Sequence, residues 1–195
     1  MVDHTDPCAA ISRPCLLPLT ALPTCITSIV RCFLVLTTVF PPLRISVHVK
    51  CTDHSHTADI QLHGHGATLG LALASVGVCM NNYMVELHSV GIDVDCTLHT
   101  TLRDTDLHRL TYRYLDSLLG YFLDDFIIFR EIVMDVVYSS TTSMFTATCV
   151  LYGEKFQMGK HVRGTEIKAI TYSHMQIDGP RDDGGGYDIY VITDI

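Results

Sequence analysis

Two stripes of apolar residues at helical spacing, set among seven or so strand-like segments in near-sequential order, predict an α+β fold. The expected form is a single domain with a largely antiparallel or mixed sheet and two helices packed on one face. A third observation marks where that domain begins. From Cys15 to Phe40 the chain is nearly all apolar, interrupted by Pro18, Pro23 and Arg31, and only from Ile45 does it alternate. Residues 44–195 are therefore read as the domain, and residues 1–43 as an apolar extension that the domain does not need. A membrane span requires about twenty uninterrupted apolar residues, which the extension does not supply. Asp3 and Asp6 leave no positive region ahead of the apolar run, as a secretory signal requires, and a transit peptide would be richer in arginine.

The elements follow in order. Ile45, Val47 and Val49 alternate with Ser46, His48 and Lys50, the pattern of a half-buried strand. A second strand covers residues 58–63 and ends in Gly64, His65 and Gly66. Thr68 then caps a helix to about Tyr83, with Leu69, Ala72, Leu73, Val76 and Met80 on one stripe. Gly70 and Gly77 weaken that helix by about 1 kcal/mol each relative to alanine, so packing must hold it. Ile92, Val94, Cys96 and Leu98 alternate with polar residues as a strand. Thr105 opens a second helix with Leu107, Leu110, Tyr114, Leu118 and Phe122 facing inward. After it the chain reads as strand: residues 126–129, residues 132–138, and a run through Phe145, Ala147, Cys149 and Leu151 that Gly153 ends. A long strand over 166–177, an Asp/Gly/Pro-rich turn over 178–186 and a final strand over 187–194 complete the domain.

Charge narrows the function. Residues 51–195 hold nineteen of the 21 acids and nine of the 13 bases, a net of −10. Such a surface repels phosphate backbones, so direct nucleic-acid binding is not expected, and any such role needs a basic partner. Cys8, Cys15, Cys25 and Cys32 match no zinc spacing, and Cys79, Cys96 and Cys149 fall on apolar faces. All read as reduced thiols of an intracellular protein.

The candidate chemistry lies at the two ends of the domain. Asp59 opens the strand that follows Thr57 and Ala58, and the sequence closes on Ile192, Thr193, Asp194 and Ile195. If the first and last strands are neighbours, Asp59, Asp194 and the terminal carboxylate of Ile195 converge. Three hard oxygen donors suit Ca²⁺, Mg²⁺ or Mn²⁺; the alternative is that both aspartates are ordinary strand-end residues facing water. His54 and His56 ahead of Asp59 suggest a metallo-hydrolase signature, but the acid stands one place late and Ile60 occupies the last histidine's position. His63 and His65 share one side of a strand, without a cysteine or third histidine at zinc spacing. Lys160, His161, Arg163 and Lys168 form one basic cluster, either a solvated loop or a contact for an anionic ligand or acidic surface. No nucleophile elbow, phosphate-binding Gly-rich loop or Ser/His/Asp arrangement is present in the sequence. Gly184, Gly185 and Gly186 follow Asp182 and Asp183, whose charges repel phosphate.

Three segments together resemble the archease family: His56-Thr-Ala-Asp59-Ile60, Gly164-Thr-Glu-Ile-Lys168-Ala-Ile-Thr-Tyr172, and Ile192-Thr-Asp-Ile195. Tyr152-Gly-Glu154 and Lys160-His161 fit the same pattern, in collinear order over residues 52–195. The resemblance implies an accessory protein, without a reaction of its own, for the GTP-dependent tRNA-splicing RNA ligase. It would promote ligase guanylylation and turnover in the cytoplasm or nucleus. The resemblance places a divalent metal, Ca²⁺ foremost, on Asp59, Asp194 and Ile195. The chain departs from the family where the first helix offers Gly70 and Leu71 in place of acids. It departs again where the second carries Asp116-Ser117 rather than Asp-Glu, and in Val47-His48-Val49-Lys50-Cys51, where an aromatic strand is expected. A metal-dependent phosphohydrolase using Asp59 and Asp194 is the alternative, although two-metal hydrolysis usually needs more ligands.

Overall fold

Strand pairing runs antiparallel between every pair of strands in the computed structural model, which describes residues 59–180 and 184–195. The predicted strand at 45–50, His54, His56, Asp182, Asp183 and the extension of residues 1–43 lie outside the described residues. In chain order the elements are β1 (Asp59–Gly66), α1 (Leu69–Met84), β2 (Leu98–Asp104), α2 (Leu107–Asp125), β3 (Ile127–Ser139), β4 (Met144–Lys155), β5 (Ala169–Ile170), β6 (Gln176–Asp178) and β7 (Tyr187–Asp194). The predicted α+β class is what the chain adopts, with the strands divided between two sheets. In one, β7 pairs with β1 on one side and with β5 and β6 on the other. In the other, β4 runs between β2 and β3.

Helix α1 is the core of the fold. The extended backbone of Thr68 stops the chain short of helix, and its hydroxyl accepts the Leu71 amide at 3.2 Å, the predicted cap. Every residue from Ala72 to Asn81 is buried, so the helix is enclosed rather than one-faced. Glycines permit that enclosure. A Cβ on Gly64 of β1 would come within 2.5 Å of the Val76 nitrogen, and one on Gly70 within 2.4 Å of the Met134 carbonyl in β3. The residue that lowers intrinsic helix propensity is thus the one that lets β3 approach. Asn81 joins the same two elements: its amide donates to the Gly77 carbonyl at 2.8 Å and its oxygen accepts the Phe129 amide at 3.2 Å.

Helix α2 is one-sided. It buries Leu110, Thr111, Tyr114, Leu115, Leu118 and Leu119, and each enclosed leucine contributes about 1.5–3 kcal/mol of apolar burial. Its cap is Asp106, which accepts the Arg109 amide at 2.8 Å, one residue later than the predicted start at Thr105.

Four other expectations are corrected. Val94–Cys96 is a 3-10 turn, not strand, because the Asp93 carboxylate accepts the Asp95 amide and bends the chain; β2 begins only at Leu98. The predicted runs at 126–129 and 132–138 are the single strand β3, with a register shift between Phe129 and Glu131. Gly153 does not end β4 but sits opposite that irregularity, where a Cβ would overlap the Ile128 carbonyl. The long strand over 166–177 is two short pieces, β5 and β6. Between them His174 takes a positive φ of 55°, and the chain leaves β7 before rejoining it.

Candidate functional site

The register of β1 and β7 settles which residues of the two ends meet. Asp59 stands opposite Asp194, Gln61 opposite Ile192, His63 opposite Tyr190 and His65 opposite Asp188. Because side chains alternate along a strand, these eight share one sheet face. The other face carries Ile60, Leu62, Ile189 and Val191 into the core. The first and last described strands are thus neighbours, and two of the three predicted ligands are directly paired. Opposed residues of an antiparallel pair place their Cβ atoms about 4.5–5.5 Å apart, and like charges so placed repel. Asp59 is exposed and Asp194 half-buried. Neither carboxylate has an ion pair among the described residues.

Lys168 completes this end of the sheet. Its backbone amide donates to the Asp194 carbonyl at 2.9 Å, and its ammonium donates to the Ile195 carbonyl oxygen at 2.9 Å. Next to it, Ala169 pairs with Asp194 on the edge away from Asp59. The Ile195 side chain packs on the core, and its backbone oxygen is the one that accepts from the Lys168 ammonium. Among the described residues no group of three or more His, Cys, Asp or Glu side chains is arranged to hold a metal ion by itself. A cation bound at this end would meet the two carboxylates, with the terminal oxygens of Ile195 as the further donors the sequence reading expects. Hard oxygen donors with excess negative charge fit Ca²⁺, Mg²⁺ or Mn²⁺ and do not fit a soft metal.

The histidines serve another carboxylate. His63 Nε2 lies 2.7 Å and His65 Nδ1 3.2 Å from the same Asp188 oxygen, and the Asp188 side chain is nearly enclosed. His63 also stacks on Tyr190, with ring centroids 4.4 Å apart. Asp188 and Asp194 are six residue steps apart along β7, roughly 20 Å of strand, so the clusters are independent.

The predicted basic cluster is likewise divided. Lys160 and His161 bind Glu154, Arg163 binds Glu166 at 3.1 Å, and Lys168 holds Ile195. Each of these four side chains is engaged within the fold. Glu154 anchors the loop: it accepts from the Lys160 ammonium, the Gly91 amide and His161 Nε2 at 2.9 Å. The Lys160 hydrogen bond and then the Gly91 amide hold its carboxyl down to about 2. His161 Nδ1 accepts the Gln157 amide at 2.8 Å, so Nε2 carries the proton that Glu154 receives. Sequence reasoning missed the place of Lys168 at the acid end. The usable signal was its position immediately ahead of the Ala169-Ile170 pair.

Among the described residues Cys79, Cys96 and Cys149 are free and buried, and burial pushes Cys79 up to about 11 and Cys149 to about 12. Among the described residues no helix is long and apolar enough to cross a membrane.

The fold is similar to the solution structure of protein 1598 from Methanobacterium thermoautotrophicum, with a TM-score of 0.55 at 24% identity. That match covers 73% of this chain and 96% of the other. In sequence, the chain is 40% identical over 141 residues to the archease-like protein of Dictyostelium discoideum, covering 72% of this chain and 89% of that one. It is 38% identical over 141 residues to the Drosophila melanogaster archease-like protein, covering 72% and 86%. It is also 31% identical over 140 residues to the archease of Sulfolobus acidocaldarius, covering 72% and 94%. The Archease protein family model matches residues 52–195, the span that contains the β1–β7 ladder and the Lys168 strap. This chain belongs to the archease family.

Proposed function

We propose that this protein activates the GTP-dependent tRNA-splicing RNA ligase, promoting guanylylation and repeated turnover, through a divalent-cation site on Asp59, Asp194 and Ile195. The observation that carries the reading is the register that opposes Asp59 and Asp194 with no basic side chain on either. When bound, the cation, Ca²⁺ foremost with Mg²⁺ or Mn²⁺ as alternatives, supplies positive charge that offsets phosphate charge as GMP passes to the ligase. The chain's own residues shape that end. Asp59 and Asp194 bind from two adjacent strands, so their spacing is set by backbone pairing rather than by a loop. Lys168 ties β5 to the Ile195 oxygen and fixes the end of β7. The acidic body docks on a basic, RNA-binding partner. The protein acts in the cytoplasm or nucleus and carries out no reaction itself.

The test is ligase guanylylation and multiple-turnover RNA joining with and without the purified protein. Stimulation that Asp59→Ala abolishes supports the reading. Absence of stimulation by the wild type overturns it, and nucleotide hydrolysis by the protein alone with divalent metal would favour the phosphohydrolase.

A further inference from the structure

The carboxyl end of α2 collects three features that each work against stability. The helix ends on Asp124 and Asp125, two acids at the negative end of its dipole, where cations are preferred. Its cap residue, Phe126, takes a left-handed φ of 57°, a conformation usually given to glycine or asparagine. The Phe126 side chain is 60% exposed, and Met158 beside it is 94% exposed. These residues border a pocket of about 520 Å³ whose apolar walls include Met84, Phe122 and Phe156. The Phe126 amide closes α2 on the Tyr121 carbonyl and its carbonyl accepts the Phe156 amide, but no packing among the described residues accounts for the aromatic side chain left in water.

We propose that this pocket receives a large apolar side chain from a basic segment of the partner ligase, with an adjacent Arg or Lys seated on Asp124, Asp125 and the carbonyl end of α2. Charge complementarity selects that occupant. Arg163 on the rim is already paired with Glu166, and Lys160 with Glu154. Lys155, opposite Ile127, is the other base of this corner, so against Asp124 and Asp125 one acid is left in excess. An acidic or purely apolar segment leaves that excess unmatched, while an arginine or lysine meets both carboxylates and the helix dipole. The strap from His161 to Lys168 continues from the pocket wall, at His161, Arg163 and Glu166, to the Asp194 end of the sheet. One partner can therefore engage both places. The identification of that partner rests on the reading in the preceding subsection.

Two arms keep the inference and that reading separable. In the first, short synthetic peptides with tryptophan flanked by arginine, or by glutamate, are titrated into isotope-labelled protein. The arginine peptide is expected to move the resonances of Phe126, Met158 and Asp125, and the glutamate peptide to leave them in place. Equal shifts from both, or none from either, overturn the pocket assignment whatever the ligase does. In the second arm, Phe126→Gly and Met158→Ser are compared with Asp59→Ala in ligase guanylylation. The pocket variants should raise the concentration for half-maximal stimulation at least ten-fold, whereas Asp59→Ala lowers the plateau. Phe126→Gly should also raise Tm, because it relieves the left-handed backbone. A pocket variant that is stable yet titrates as the wild type overturns the inference while the metal reading stands.

Discussion

Glu154 and Asp194 both stand near the end of a strand, and their surroundings are opposite. Glu154 gathers an ammonium, a backbone amide and an imidazole, and its carboxyl is driven down to about 2. Asp104, at the end of β2, is treated the same way: its side chain is 5% exposed, and hydrogen bonds from Arg109, then the Asp106 amide, hold it well below the usual carboxylate range. Asp188 receives two histidines. Asp194 receives another aspartate. Among the described strands the register opposes acids at two places, Asp59 with Asp194 and Asp178 with Asp188, and only at the second do histidines sit on one of the carboxylates. On the proposed reading, the difference separates carboxylates that hold the structure from carboxylates that face a ligand.

The comparison can be broken by substitution. The largest expected effect is functional: Asp59→Ala should reduce ligase stimulation at least ten-fold, with circular dichroism and Tm near the wild type, since it removes an exposed side chain and leaves no cavity. Glu154→Gln should do the reverse. It should lower stability by roughly 1–3 kcal/mol in denaturant titration, because a charged acceptor with three donors is lost, while the metal response stays intact.

Acid sharpens the same contrast. A carboxyl whose folded value is depressed adds stability that is full above its unfolded value, near 4.5, and is lost as pH falls towards the folded value of about 2. Wild-type Tm should therefore drop across that window, and Glu154→Gln should flatten the drop. The smallest effect is expected from deleting residues 1–43. Stability should change by less than about 0.5 kcal/mol and stimulation should persist. A loss of either would show that the extension contributes to the domain or to the partner contact.

The helices and the closing strand were legible because their signals are local. Thr68 ahead of an apolar run marks a cap, and the spacing from Leu107 to Phe122 marks a helix face. Strand partners are not local. The alternation of residues 92–98 continues through Asp93, whose carboxylate makes a turn, and alternation cannot show that competition. Nor could the run over 166–177 show that it meets β7 at only two short places, with His174 turning the chain between them. Asp59 and Asp194 could be singled out individually, but their opposition depends on register, which the sequence expresses only as a condition on which strands are neighbours. The exposed corner at Phe126 escaped notice for a related reason. Phenylalanine after a helix reads as core until the backbone is seen to turn left-handed.

The central claim is that Asp59 and Asp194 are opposed in order to hold a cation. Thermal unfolding of the wild type, Asp59→Asn and Asp194→Asn, in chelator and then with Ca²⁺ or Mn²⁺, tests it most directly. In chelator each variant should match or exceed the wild type, by up to about 1 kcal/mol, because one of two facing charges is gone. With metal at a hundredfold excess over its dissociation constant, the wild type should gain about 2.7 kcal/mol and the variants little. Variants that are less stable in chelator, or that respond to metal as strongly as the wild type, would contradict the account.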